Sequence, residues 1–311
     1  MPLKSLMYHY VRPDRRDFPH FRHLHIDDFR RQLDWLAANG GFADRAAFLE
    51  ALEGGPLPDG AVLTFDDGFA DHHDFVLPEL DRRGLWGIFY VPTGPLAGGG
   101  MLDVHRVHML LGRFDAAVVA EHLRRGISPD MIDAEKQREF AEQTYRWQRN
   151  PDAVLFVKRT LNYFLLPAYR GPVLDALMAR FFGEEEAALA EELYMTPARI
   201  RALREAGMIV GSHSVSHPVM SRLSTAEQER EIGASLAFLE RLLGEPVVTF
   251  CYPYGGRATF TRETEELLAD RGVKFSFAVE PRDITIDDLR ERPHALPRYD
   301  CNMFPHGTCR N

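Results

Sequence analysis

At three points the chain places an unusual polar cluster directly after an apolar run, and the residue types define the chemistry available. The first cluster is Thr64-Phe65-Asp66-Asp67-Gly68. Two adjacent carboxylates leaving a buried strand are electrostatically unfavourable unless a cation or distinct roles separate them. Neighbouring residues there point in different directions, so one could bind a metal while the other faces a substrate. An Asx-type turn with a helix N-cap accounts for one aspartate but not for both. The second cluster is His213-Ser214-Val215-Ser216-His217-Pro218. Two imidazoles four residues apart can converge on one ion, and imidazole is a common zinc ligand. Among 13 histidines some close pairs arise by chance. His20, His23 and His25 form such a group and read as a polar loop, while His72 and His73 read as surface residues. The third cluster, Phe250-Cys251-Tyr252-Pro253-Tyr254-Gly255-Gly256, is a rigid strand-to-loop turn that alone signals only a turn. Together, Asp67, His213 and His217 make a one-carboxylate, two-imidazole set of the kind that holds catalytic zinc with a position open to water.

These clusters need strands to present them. Apolar runs over Leu3–Val11, Ala61–Phe65, Trp86–Val91, Met208–Gly211, Val247–Cys251, Val273–Ala278 and Ala295–Tyr299 read as strands. Helical spacing falls between them, at Asp27–Ala38, Asp74–Arg83, a segment opened by Thr196-Pro197, one from Ser224 to about Leu243, and Arg262–Asp270. That alternation predicts a parallel β/α organisation with the clusters at the C-terminal strand ends, where barrel enzymes carry their catalytic groups. The rhythm breaks after Pro92. Helical patterns at Val104–Leu111, Ala134–Gln148, Ala153–Leu166 and Val173–Phe182 mark residues 95–195 as an insertion, leaving 1–94 and 196–311 as the main domain.

Composition narrows the classes. The 311 residues are 45% hydrophobic and 27% charged, which is ordinary for a globular chain. A formal charge of -9 argues against a generic grip on nucleic acid or anionic lipid. Cys251, Cys301 and Cys309 are too few for a disulfide framework and read as free thiols. The N-terminus lacks the apolar stretch of a signal peptide and no run is long enough to span a membrane, so the expected location is cytoplasmic.

The three clusters, in this order, strongly resemble the motifs of the polysaccharide deacetylase (NodB-homology, carbohydrate esterase) family: TFDDG at Thr64–Gly68, His-Ser-x-x-His at His213–His217 and Tyr-Pro-Tyr-Gly at Tyr252–Gly255. The resemblance implies an α/β fold, a distorted (β/α) barrel, here with a large helical insertion. It implies Asp66 as general base and Asp67, His213 and His217 as ligands of one divalent metal, zinc first, with cobalt, nickel or manganese as alternatives. The backbone N–H of Tyr254 would stabilise an oxyanion. Two departures stand out: Cys251 occupies a position where the family often has arginine, and the C-terminal Leu-x-His that supplies the acid has no clear match. Leu6–Val11 instead resembles the opening strand of permuted members, related to deacetylases of poly-N-acetylglucosamine. By that resemblance His9 is the general acid, with His294 as rival, and Arg298 orients Asp66. The implied activity is removal of an N-acyl group, first of all acetyl, from an amino sugar, with an intracellular precursor of a surface polysaccharide as the expected substrate. Rival readings are hydrolysis of another linear or cyclic amide and a non-catalytic carbohydrate-binding module. No nucleic-acid partner is expected, a homodimer is an open option, and the helical insertion is expected to read the distal part of the substrate or to be a structural or dimer-forming appendage.

Overall fold

The computed structural model describes residues 2–144 and 150–310, so residues 145–148 of the predicted helix Ala134–Gln148 lie outside the described residues. Two compact units emerge. One comprises residues 2–13, His23–Gly98 and Leu193–Arg310, and the other Asp14–Arg22 and Gly99–Glu192.

The first unit is built on nine strands: β1 Lys4–Tyr8, β2 Val11–Arg12, β3 Leu24–His25, β4 Ala61–Phe65, β5 Ile88–Val91, β6 Ile209–Ser212, β7 Thr249–Cys251, β8 Phe275–Phe277 and β9 Tyr299–Asp300. Seven of them form one sheet in the order β8-β7-β6-β5-β4-β1-β9, and every pairing is parallel. All residues of β4, β5 and β6 are buried, as parallel strands covered on both faces must be. The sheet curls on itself through an irregular segment. Leu296 pairs with Phe277 of β8 while Tyr299 pairs with Leu6 of β1, so residues 296–300 touch both edges of the sheet. The result is a distorted (β/α) barrel.

Burial divides along each strand with the period of two that pleating imposes. Leu6, Tyr8, Leu63, Phe65, Phe89 and Phe250 pack outward against helices through Phe29, Leu33, Val76, Leu203 and Leu236. Val62, Ile88, Tyr90, Cys251, Phe277 and Leu296 belong to a second cluster. The helices start where side chains can cap them: Asp44 accepts from Ala47 N–H, Thr196 from Arg199 N–H, and Glu227 reaches back to Ser224 N–H at 2.8 Å. Each such cap contributes about 1 kcal/mol.

Several expectations change in detail. The predicted strand Leu3–Val11 ends at Tyr8, and Val11–Arg12 pairs instead with β3 in a separate two-stranded sheet. The predicted helix Asp74–Arg83 begins earlier, as a π-helical turn at His72–Val76 that runs into Leu77–Arg82. Ala295–Tyr299 is a 3₁₀ turn, Pro293–Ala295, followed by the short β9. Helices at Arg45–Leu52 and Ile286–Glu291 were not visible in the periodicity. His72 is fully buried rather than on the surface, because it shares a helical face with the buried Phe69 and Val76. His23 is buried as well, and His25 caps the helix Ile26–Ala38 by accepting from Asp27 N–H, so the two are not a solvated loop.

The second unit is helical, with helices at Asp103–Arg113, Ala116–Gly126, Ala134–Gln143, Asp152–Arg159, Pro167–Phe181 and Glu185–Leu193, the last crossing its boundary by one residue. Within it Phe18 lies near Phe182, and the Arg113 guanidinium stands over the rings of both. Of the expected apolar stripe, Leu161, Phe164 and Leu165 are buried and Leu155 and Phe156 half-buried. No described helix is long and apolar enough to cross a membrane.

Candidate active site

Five described non-glycine residues have positive φ, and four lie in the loops that leave β4, β6 and β7: Asp67 (80°), Ser214 (64°), His217 (57°) and Tyr254 (64°). Left-handed conformation is unfavourable for residues with a Cβ and persists where surrounding structure over-determines it, which is characteristic of functional sites. The loop after β4 shows what the strain achieves. Asp66 continues the strand alternation, and the turn at Asp67 then lets a second carboxylate be buried beside it. The two are 2% and 3% exposed.

Asp67, His213 and His217 converge. Oδ1 of Asp67 lies 3.5 Å from Nε2 of His213 and 3.4 Å from Nε2 of His217, and the three donor atoms lie within 4.8 Å of one another. Ligand bonds of about 2.0–2.1 Å at tetrahedral angles place donor atoms about 3.3–3.4 Å apart. The donor set therefore fits a small divalent ion with two imidazoles and one carboxylate. His213 is oriented from behind: its Nδ1–H donates to the Cys251 carbonyl at 2.7 Å, which turns Nε2 toward Asp67, where a metal would replace its proton. This is the usual way a ligating histidine has its tautomer fixed. Burial lowers the affinity of His213 for a proton, and Cys251, Asp67 and Asp66 outweigh it, so the ring is held well above the usual imidazole range. The pocket favours positive charge at this point.

Asp66 has a different environment. Its Oδ1 accepts from Arg298 Nη1 at 2.8 Å, and the Cys251 thiol donates to its Oδ2 at 3.6 Å. Arg298 is itself 1% exposed and also donates to Thr64 Oγ1 at 3.1 Å and to Cys251 Sγ at 3.0 Å. Burial pushes the Asp66 carboxyl up, but the charges of Arg298, His213 and His9 more than compensate, so it lies below the usual carboxylate value. Asp66, His213 and Cys251 also bring potential donor atoms together. Arg298 against Asp66 and the thiol argues against a second cation there.

His9 follows β1 and is half-buried, with its carbonyl accepting from His72 Nε2 at 2.8 Å. Its charge is one of those acting on Asp66. His294 stands on the turn before Arg298, where its carbonyl accepts from the Tyr252 hydroxyl at 2.7 Å and its ring feels Glu265 and Arg262. Tyr254 sits over the site with its ring 4.9 Å from that of His217. The turn beyond it requires glycine: at Gly255, φ is 66° and a Cβ would meet Val279 Cγ2 at 2.4 Å. Thus Asp66, Asp67, His213, His217 and Arg298 come together, with His9 and Tyr254 beside them, and His294 lies among other residues. Cys251, noted in the sequence only as a departure, bridges Arg298 and Asp66. Its proximity to either has no local sequence signal.

A sequence model described as polysaccharide deacetylase matches residues 175–276. Comparison with curated proteins gives no significant match. Among solved structures, the fold is similar to a Streptococcus pyogenes deacetylase, PplD, in complex with acetate, at TM-score 0.60 and 16% identity over 99% of this chain and 96% of that one. It is also similar to IcaB from Ammonifex degensii, at 0.56 and 18% over 96% and 91%. The BpsB deacetylase domain from Bordetella bronchiseptica gives 0.55 and 16% over 95% and 94%. At these identities the similarity speaks for the fold. His213, His217 and Cys251 lie inside the matched segment and the barrel places Asp66 and Asp67 beside them, so the chain resembles the polysaccharide deacetylase family in that segment and shares the fold of these deacetylases.

Proposed function

We propose that the protein is a metal-dependent N-deacetylase that removes the acyl group, acetyl first of all, from the nitrogen of an amino sugar. The observation that carries this reading is the spacing of Asp67 Oδ1 from two imidazole Nε2 atoms, beside a separately held carboxylate.

Relative acidity explains why both carboxylates are needed. Asp66 lies below the ordinary carboxylate range, whereas bulk water is a far weaker acid, so direct deprotonation of free water by Asp66 is strongly uphill. A divalent ion on Asp67, His213 and His217 would bring a bound water toward a pKa of about 7 and polarise the acyl oxygen. Asp66, kept ionised by Arg298, then accepts the water proton as the C–O bond forms. The Tyr254 N–H is the proposed donor to the developing oxyanion. His9 gives a proton to the nitrogen as the C–N bond breaks, so that the amine leaves neutral. The deacetylase PplD, similar in fold and described in complex with acetate, supports acetyl as the group released. A small intracellular precursor is the proposed substrate.

The test is acetate release from N-acetylglucosamine oligomers and from nucleotide-linked N-acetyl sugars, with zinc, cobalt or nickel added to chelator-treated protein. Metal-dependent release is expected. Equal turnover with and without chelator, or release from simple amides but from no sugar, would overturn the reading.

A further inference from the structure

We propose that Glu231 is a positioning residue for the metal-binding loop, its carboxylate holding residues 213–217 in the turn that aims both imidazoles at Asp67. The proposal rests on the reading of Asp67, His213 and His217 as ligands. Two of the five loop residues, Ser214 and His217, are in left-handed conformation, so the loop needs restraints that favour this shape. Some come from serines. Ser212 Oγ, hydrogen-bonded to Ser235 Oγ at 2.7 Å, accepts from Ser214 N–H at 3.3 Å, and Ser214 Oγ accepts from His217 N–H at 3.1 Å. On the other side, the Ser214 and Val215 carbonyls accept from Thr93 and Gly94 N–H at 3.1 and 2.8 Å.

The middle of the loop is held from the helix Thr225–Leu243. Glu231 Oε2 accepts from the N–H groups of Val215 and Ser216, both at 2.9 Å, and Oε1 accepts from the Ser216 hydroxyl at 2.7 Å. Successive N–H groups around a left-handed residue form a concave site that one acceptor oxygen of the right reach can fill. The acceptor and the turn therefore support each other. Removing the carboxylate leaves both N–H groups without this acceptor, the turn relaxes, and the 3.4–3.5 Å spacing at Asp67 is no longer preset. Metal affinity falls although no ligand is touched, by ~10–100-fold as for other residues that orient ligands.

Glu231→Gln and Glu231→Asp separate hydrogen bonding from charge. Both N–H bonds fall on one oxygen, so a glutamine carbonyl can accept both while its NH₂ donates to Ser216 Oγ. Aspartate keeps the charge but is one methylene too short to span the loop. Zinc affinity of metal-free protein, measured by competition with a chromophoric chelator and paired with far-UV circular dichroism, is the readout. The expected result is near-native affinity for Glu231→Gln, a ~10–100-fold loss for Glu231→Asp, and native helicity in both. Native affinity in both variants, or loss in Glu231→Gln with retention in Glu231→Asp, overturns the proposal. Failure of the parent protein to bind zinc, or unchanged affinity in Asp67→Ala, overturns the ligand reading instead.

Discussion

Asp66 and Asp67 are neighbours in the chain with separate partners, and substitutions should separate their work. Asp66→Asn should keep its metal and lose ~10²–10⁴-fold in kcat, the usual loss for a general base. Asp67→Ala should lose the metal. Metal analysis alongside steady-state kinetics checks both, and near-native turnover in Asp66→Asn would remove it as the base. His9→Ala should lower kcat with metal content unchanged, while His294→Ala, at a residue beside Glu265 and Arg262, should be milder. A reversed order would move the acid to the C-terminal segment. Arg298→Met should destabilise the fold by roughly 3–5 kcal/mol at neutral pH, because it strands a buried carboxylate. Since the Asp66 pKa is depressed in the fold, the contribution of the pair is present above the ordinary carboxylate range and fades as the pH falls below it. Urea melts of both proteins at neutral and acidic pH should therefore show the difference shrinking with acidity.

Between β4 and the following helix, the π-helical turn at His72–Val76 buries a histidine whose Nε2–H holds the backbone of His9. Burial pulls the His72 imidazole down to about 4, against smaller effects of the His9 carbonyl and nearby carboxylates. The unfolded ring binds a proton near 6.5 and the folded one only near 4, so the unfolded state holds more protons between these values. Stability should thus fall with pH from about 6.5 to about 4, by as much as ~3 kcal/mol. His72→Gln can still donate to the His9 carbonyl but does not titrate, and should flatten that part of the profile. An unchanged slope in urea-melt stability across this window would exclude His72 as its source.

At the scale of the whole molecule, the ligands join strands that do not pair with each other, since β5 lies between β4 and β6. A metal on Asp67, His213 and His217 therefore clamps two loops across the barrel mouth. Zinc at 100 times its Kd would stabilise the native state by ~2.7 kcal/mol, or roughly 5–10 °C in Tm for a domain of this size. Differential scanning fluorimetry with zinc and with chelator should show that shift in the parent protein and none in Asp67→Ala.

Local order was legible where short-range chemistry decides it. Ala61–Phe65 and Arg262–Asp270 fall where the apolar pattern places them, and Asp66, Asp67, His213 and His217 stand out because strand ends followed by such residues are uncommon. The sequence alone thus determined a β/α succession, its three polar clusters and their family resemblance. Tertiary structure decided what each polar group faces. Arg298 meets Asp66 across 232 residues, the Cys251 thiol lies between them, and Glu231 reaches back to Val215 and Ser216 from a helix that follows them. Those pairings depend on barrel closure through residues 296–300 and on the packing of the helix Thr225–Leu243, which bring together residues far apart in sequence and leave no periodic trace in it.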